Sequence, residues 1–357
     1  MKINKNIYLM PFVAVLLIGG LWTALERLGW SLPAWPGGAL SHGPLMIVGF
    51  LGALIALERA VALEKMWTYI APIAMAAGGI LSLLFSLNTP GYSLIVLGSA
   101  VNFATMIYLT KKQNILFNQI MMLGAGIFFL GNILWVTGYA VPYVIFFWSG
   151  YLLLTIFGER LELTRMVPVS KLNMKIVTYL LVIYTVLIIL SLQWLAVSAR
   201  LIGLVLILIA VWFSMNDIAR RTIKMDGQPK YTSLGLLLGY FWSIISGIIL
   251  LVWGFVPAGY IYDAFAHALF LGFVFSMIFV HAPIIFPAVF GTPMKFSNLF
   301  YSHLLLLQIT LAGRIIGDFL ANEELRLWFG LLNVIAILLF IGNTVLSVVR
   351  AMKERNQ

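Results

Sequence analysis

The chain is a succession of apolar runs about twenty residues long, separated by short polar segments, and this pattern restricts its fold more than any other feature. A helix of roughly 20 apolar residues crosses the hydrocarbon layer of a bilayer. A strand of a membrane barrel needs only about ten, with alternating polarity. The runs begin near Ile7, Pro44, Tyr69, Tyr92, Asn118, Tyr143, Ile176, Leu201, Ser233, Asp263, Leu299 and Leu327. They predict an all-α, polytopic membrane bundle of about 12 transmembrane helices. The composition agrees, with 62% hydrophobic and 10% charged residues, where soluble domains sit near half and a quarter. No linker is long enough to hold a second domain, so residues 1–357 read as one integral membrane domain. Lys2 and Lys5 precede the first run, and no small-x-small cleavage site follows Leu17. That run is therefore read as a retained span and not as a cleaved signal.

Positive charges predict the direction of each span. Lys2, Lys5, Arg59, Lys65, Lys111, Lys112, Arg160, Arg165, Lys171, Lys175, Arg220, Arg221, Lys224, Lys230, Lys295, Arg350, Lys353 and Arg355 fall in one alternating set of segments. Only Arg27, Arg200, Arg314 and Arg326 fall in the other, a division of 18 against 4. The positive-inside rule assigns the larger set to the cytoplasm. The expectation is a bacterial-type inner-membrane protein with both termini cytoplasmic. The net charge of +10 is thereby read as a matter of topology, and no nucleic-acid partner is expected. The chain has no cysteine, which excludes disulfides, thiolate-ligated metals and covalently attached c-type haem.

Three spans share a spaced pattern. Gly49-Phe50-Leu51, Ile55 and Glu58-Arg59 occur in span two, and Gly150-Tyr151-Leu152, Ile156 and Glu159-Arg160 in span six. Gly272-Phe273-Val274, Ile278 and His281 occur in span ten. The pattern suggests a pseudo-threefold bundle of three groups of four helices. Coincidence is the competing explanation, because Gly, Phe, Leu and Ile are abundant. If the repeat is real, Glu58, Glu159 and His281 are equivalent and would converge as a metal site or proton entry. The plainer reading makes the Glu-Arg pairs interfacial anchors with snorkelling side chains.

The chain has four histidines, His42, His267, His281 and His303, and ionisable groups in a membrane are costly and usually functional. The predicted directions put His42 and His267 toward the outer side and His281 and His303 toward the inner side. Along an unbroken α-helix, His281 lies about 21 Å from His267 and about 40° away around the axis, nearly on one face. Imidazoles from different helices at similar depth are what a bis-histidine b-type haem requires. His42 and His267 are the expected pair. Asp263, one turn before His267, is placed to fix its tautomer. Arg314 is the first candidate among the outer cations to pair with haem propionates. His281 and His303 are candidates for a second haem or a copper. Structural readings compete at three of the positions: His42 precedes Pro44 at a helix start, His281 precedes Pro283, and His303 follows Tyr301-Ser302 at an interface.

The run His42-Gly43-Pro44-Leu45-Met46 with Gly49-Phe50 resembles the second-span His-x-x-x-Met-x-x-Gly-Phe region of NnrS-type membrane proteins. Ala266-His267-Ala268-Leu269, then Gly272, Met277 and His281, resembles their later His-Ala-Leu region. Leu304 to Arg314 is similar to the leucine-rich helix that follows. The resemblance implies about twelve spans, haem binding and a link to nitric oxide tolerance. It also implies a distant relation to the catalytic subunit of haem–copper oxidases, where histidines of spans two and ten hold a low-spin haem. Val280-His281-Ala282-Pro283 stands where those proteins have Gly-His-Thr-Gly-Arg, and the chain has no His-His pair, His-x-x-x-Tyr or His-x-His. The expected function is therefore a haem-binding membrane protein in nitric oxide response or electron transfer. The alternative is a cofactor-free twelve-span secondary transporter; against it, no inverted halves are found.

Overall fold

The computed structural model describes residues 10–86, 89–291 and 294–355. The expected start at Ile7, with Lys2 and Lys5, lies outside the described residues. Among the described residues every regular element is helical, and twelve helices are long and apolar enough to cross a membrane. These are α1 (Pro11–Leu28), α2 (Ala39–Leu63), α3 (Met66–Phe85), α4 (Thr89–Lys112), α5 (Leu116–Val136) and α6 (Val141–Leu163). They continue with α7 (Lys171–Leu190), α8 (Leu195–Asn216), α9 (Gln228–Trp253), α10 (Tyr260–Pro287), α11 (Phe300–Phe319) and α12 (Glu323–Glu354). Most begin a few residues before the apolar run, because helical hydrogen bonding extends into polar flanks where caps are available. Ser170 Oγ accepts the Asn173 amide at 3.1 Å at the start of α7, and Asn322 Oδ1 accepts the Leu325 amide at 2.9 Å at the start of α12.

The helices fall into two compact units, Met1–Thr155 and Ile156–Gln357, with the division inside α6. In the first unit α2 packs on α1 and α3, and α3, α4 and α5 pack in sequence. Two aromatic residues in the first part of α6 bind partners on α4 and α5. Trp148 donates to Asn132 Oδ1 at 3.0 Å, and the Tyr151 hydroxyl accepts from Asn102 at 3.2 Å while its ring stacks on Phe128. In the second unit α7, α8, α9 and α10 pack in sequence, as do α10, α11 and α12. The α8–α9 contact brings two backbones together: a Cβ on Gly203 would lie 2.5 Å from the Gly247 carbonyl oxygen, and one on Gly247 would lie 2.7 Å from that of Gly203. Small residues that allow such an approach are a general device of helix packing in lipid.

Two helices are not α-helical throughout. Leu45–Gly52 in α2 and Ala268–Phe275 in α10 are π-helical, and both stretches are almost entirely buried. Each is eight residues long and each has its glycine, Gly49 or Gly272, at the fifth position. These are the glycines that begin the repeated sequence pattern. The equivalent residues in α6 lie on a continuous α-helix. In α10 a Cβ on Gly272 would enter the Trp242 side chain of α9, so the close approach requires glycine there.

The π-helical stretch corrects one expectation. An i→i+5 interval holds about one residue more than the α-helix would, equivalent to roughly 100° of rotation. The separation of His267 from His281 around the axis therefore grows from about 40° to about 140°. The two histidines do not share a face.

Candidate functional site

Among the described residues of the second unit, a group of buried charges forms where α10 begins, α11 ends and α12 begins. The turn between α11 and α12 is tight: Asn322 N donates to Gly317 O at 2.9 Å, and Ala321 is left-handed with φ 49°. A Cβ on Gly317 would lie 3.0 Å from Leu325 Cβ. This closeness brings Asp318 and Arg326 together. Arg314, one turn before Asp318, points to the same end.

Arg314 and Asp263 form a buried fork. Nε donates to Oδ2 at 2.9 Å and Nη2 to Oδ1 at 3.0 Å, with the two residues 5% and 6% exposed. Such two-point pairing is the strongest form of side-chain ion pair. Arg326 lies among three carboxylates: it donates to Glu323 Oε2 at 3.1 Å, lies 3.3 Å from Asp318 Oδ1 and 3.6 Å from Asp263 Oδ1. Tyr260 donates to Glu323 Oε1 at 2.6 Å, and the Arg326 guanidinium lies over its ring. Arg314, expected to face a propionate, is held by Asp263. A propionate there would compete with that fork.

His267 joins the group through Asp263. Its Nδ1 lies 2.9 Å from the Asp263 main-chain oxygen and 3.4 Å from Oδ2. The residue is the one expected to fix the tautomer, but the hydrogen bond is made to its carbonyl. In the first unit His42 Nδ1 lies 2.9 Å from the Gly20 carbonyl oxygen of α1. His281 Nδ1 lies 2.7 Å from the Met277 carbonyl oxygen. A carbonyl oxygen only accepts, so all three imidazoles carry their proton on Nδ1 and direct Nε2 elsewhere. This is the arrangement of a histidine that binds metal through Nε2.

His303 has the opposite tautomer. Asn343 Nδ2 also donates to the Leu299 oxygen at 3.1 Å, which orients the amide, and it lies 3.1 Å from His303 Nδ1, which must accept. His303 Nε2 then donates to the Tyr231 hydroxyl at 3.0 Å, and Tyr231 donates to the Phe279 oxygen at 3.2 Å. The ring is fully buried among Phe279, Phe300 and Phe340. A metal on either nitrogen of His303, expected as an inner ligand, would displace one of these bonds.

The expected interfacial anchor Arg160 is 4% exposed. It forks Asp217 at 2.8 and 2.7 Å, and Asp217 also accepts from Tyr240 at 2.8 Å and from the Ala219 amide at 2.7 Å. Among the described residues no group of three His, Asp or Glu side chains is arranged as metal ligands. Asp318 and Tyr260 were not anticipated from the sequence. The available signal was the spacing of Arg314 and Asp318 by one helical turn inside an otherwise apolar run.

Twelve apolar helices with buried ion pairs define an all-α integral membrane protein. The chain belongs to the family described as Domain of unknown function (DUF8744), whose model matches residues 6–349. No curated protein matches the chain.

Proposed function

We propose that the protein is a membrane haem protein in which Nε2 of His42 and Nε2 of His267 are iron ligands. The observation that carries the reading is the shared Nδ1–carbonyl hydrogen bond of these histidines, which places the proton on Nδ1 and the lone pair that would bind iron on Nε2. The donor set suits non-covalent haem b, since the chain offers imidazoles and no cysteine. Bound haem would supply one-electron chemistry. Two imidazole ligands would leave the iron no open position for a gas, so these two histidines would carry electrons or structure. The resemblance to NnrS-type proteins supports a setting in the response to nitric oxide. Gas chemistry would need a second site, for which His281 has the same tautomer and His303 does not. The division of positive charges, 18 against 4, supports an inner-membrane location with both termini cytoplasmic.

The test is the absorption spectrum of the purified full chain, oxidised and reduced. A Soret band with the sharp reduced bands of low-spin haem is expected, and it is lost in His42→Ala and in His267→Ala. Apoprotein that takes up no haem overturns the reading. Substrate-dependent flux in vesicles from such a protein would favour the transporter.

A further inference from the structure

Asp318 lacks what its buried neighbours have. It is 2% exposed, and neither of its carboxylate oxygens accepts a hydrogen bond. The nearest cation atom, Arg326 Nε at 3.3 Å, is not aligned to donate and makes no hydrogen bond of its own. Arg314 gives two hydrogen bonds to Asp263, and Arg326 gives its hydrogen bond to Glu323. Three carboxylates thus face two guanidinium groups, and the third carboxylate has no donor. A buried carboxylate without donors is costly, and two carboxylates around one guanidinium repel unless one is neutral.

We propose that this cluster binds one exchangeable proton, held on Asp318. The neutral carboxyl balances three acids against two arginines and supplies an O–H donor toward Asp263, one of the charged groups acting on it. Asp263 is not the carrier, because the Arg314 fork occupies both of its oxygens. Glu323 is not the carrier either, because its side chain is 68% exposed and already accepts from Tyr260 and Arg326. The charged groups acting on Asp318 are Asp263 from α10, Arg314 from α11 and Arg326 from α12, and Tyr260 of α10 lies near it. The adjoining part of α9, residues 241–253, has no titratable side chain. The proton leaves to water at the exposed Glu323 rim, and Asp318 becomes a carboxylate. The site does not depend on bound haem.

Infrared spectroscopy of the full chain in lipid nanodiscs tests this. At neutral pH a protonated-carboxyl C=O band that downshifts in D2O is expected in the wild type. The band shifts when aspartate alone is labelled with carbon-13. The chain has four aspartates. Asp217 and Asp263 are forked by arginine and the Asp226 side chain is fully exposed, so a buried aspartic acid band is assigned to Asp318 without a variant. Asp318→Asn removes the band and Glu323→Gln retains it. No such band in the labelled wild type, or a band that survives Asp318→Asn, overturns the proposal.

Discussion

Replacing Arg314 by glutamine tests whether the ion pair at the α10–α11 junction holds this end of the second unit together. Two unit charges 4 Å apart attract by about 4 kcal/mol at an effective dielectric constant near 20, and both partners are over nine-tenths buried. Losing one member of a buried pair leaves an uncompensated charge and costs about 3–5 kcal/mol. Arg326 remains 3.6 Å from Asp263 and His267 Nδ1 remains 3.4 Å away, so the lower end, about 3 kcal/mol, is expected. Removing both charges, in Arg314→Met with Asp263→Leu, costs less than Arg314→Gln alone, because apolar replacement of a buried pair is often neutral. Equilibrium unfolding in mild detergent, followed by the fluorescence of the 11 tryptophans, supplies both values. A loss below about 1 kcal/mol in Arg314→Gln, or a double variant no better than the sum of the single ones, refutes the reasoning.

His303→Ala opens a cavity among three phenylalanines and removes one hydrogen bond each from Tyr231 and Asn343. A loss of about 3 kcal/mol or more is expected in the same unfolding assay, with any Soret band unchanged; a lost Soret band would make His303 a ligand after all. Deleting Leu271 removes the extra residue of the π-helical stretch and turns the start of α10 by roughly 100° relative to its remainder. Asp263 is then carried away from Arg314. The deletion should destabilise at least as much as Arg314→Gln, and adding Arg314→Gln to it should have little further effect. Full additivity of the two would show that the π-helical stretch does not orient Asp263.

The helical class and the number of spans are legible in the order of residues alone, because a bilayer demands about twenty apolar residues per crossing and every such run is visible locally. The same order singles out Asp263, His267 and Arg314, since ionisable residues stand out in apolar helices. Tertiary structure decided which of these groups meet. The Asp263–Arg314 fork joins residues 51 apart and the Arg160–Asp217 fork residues 57 apart, and no helical periodicity relates positions on different helices. Tertiary packing also accompanies the one departure from α-helical phase that matters here: Gly272 sits against Trp242 of a neighbouring helix, in a stretch whose underwinding turns His281 off the His267 face. The burial of Asp318 without a donor arises in the same way, from a turn that brings Arg326 beside it while directing its hydrogen bond to Glu323.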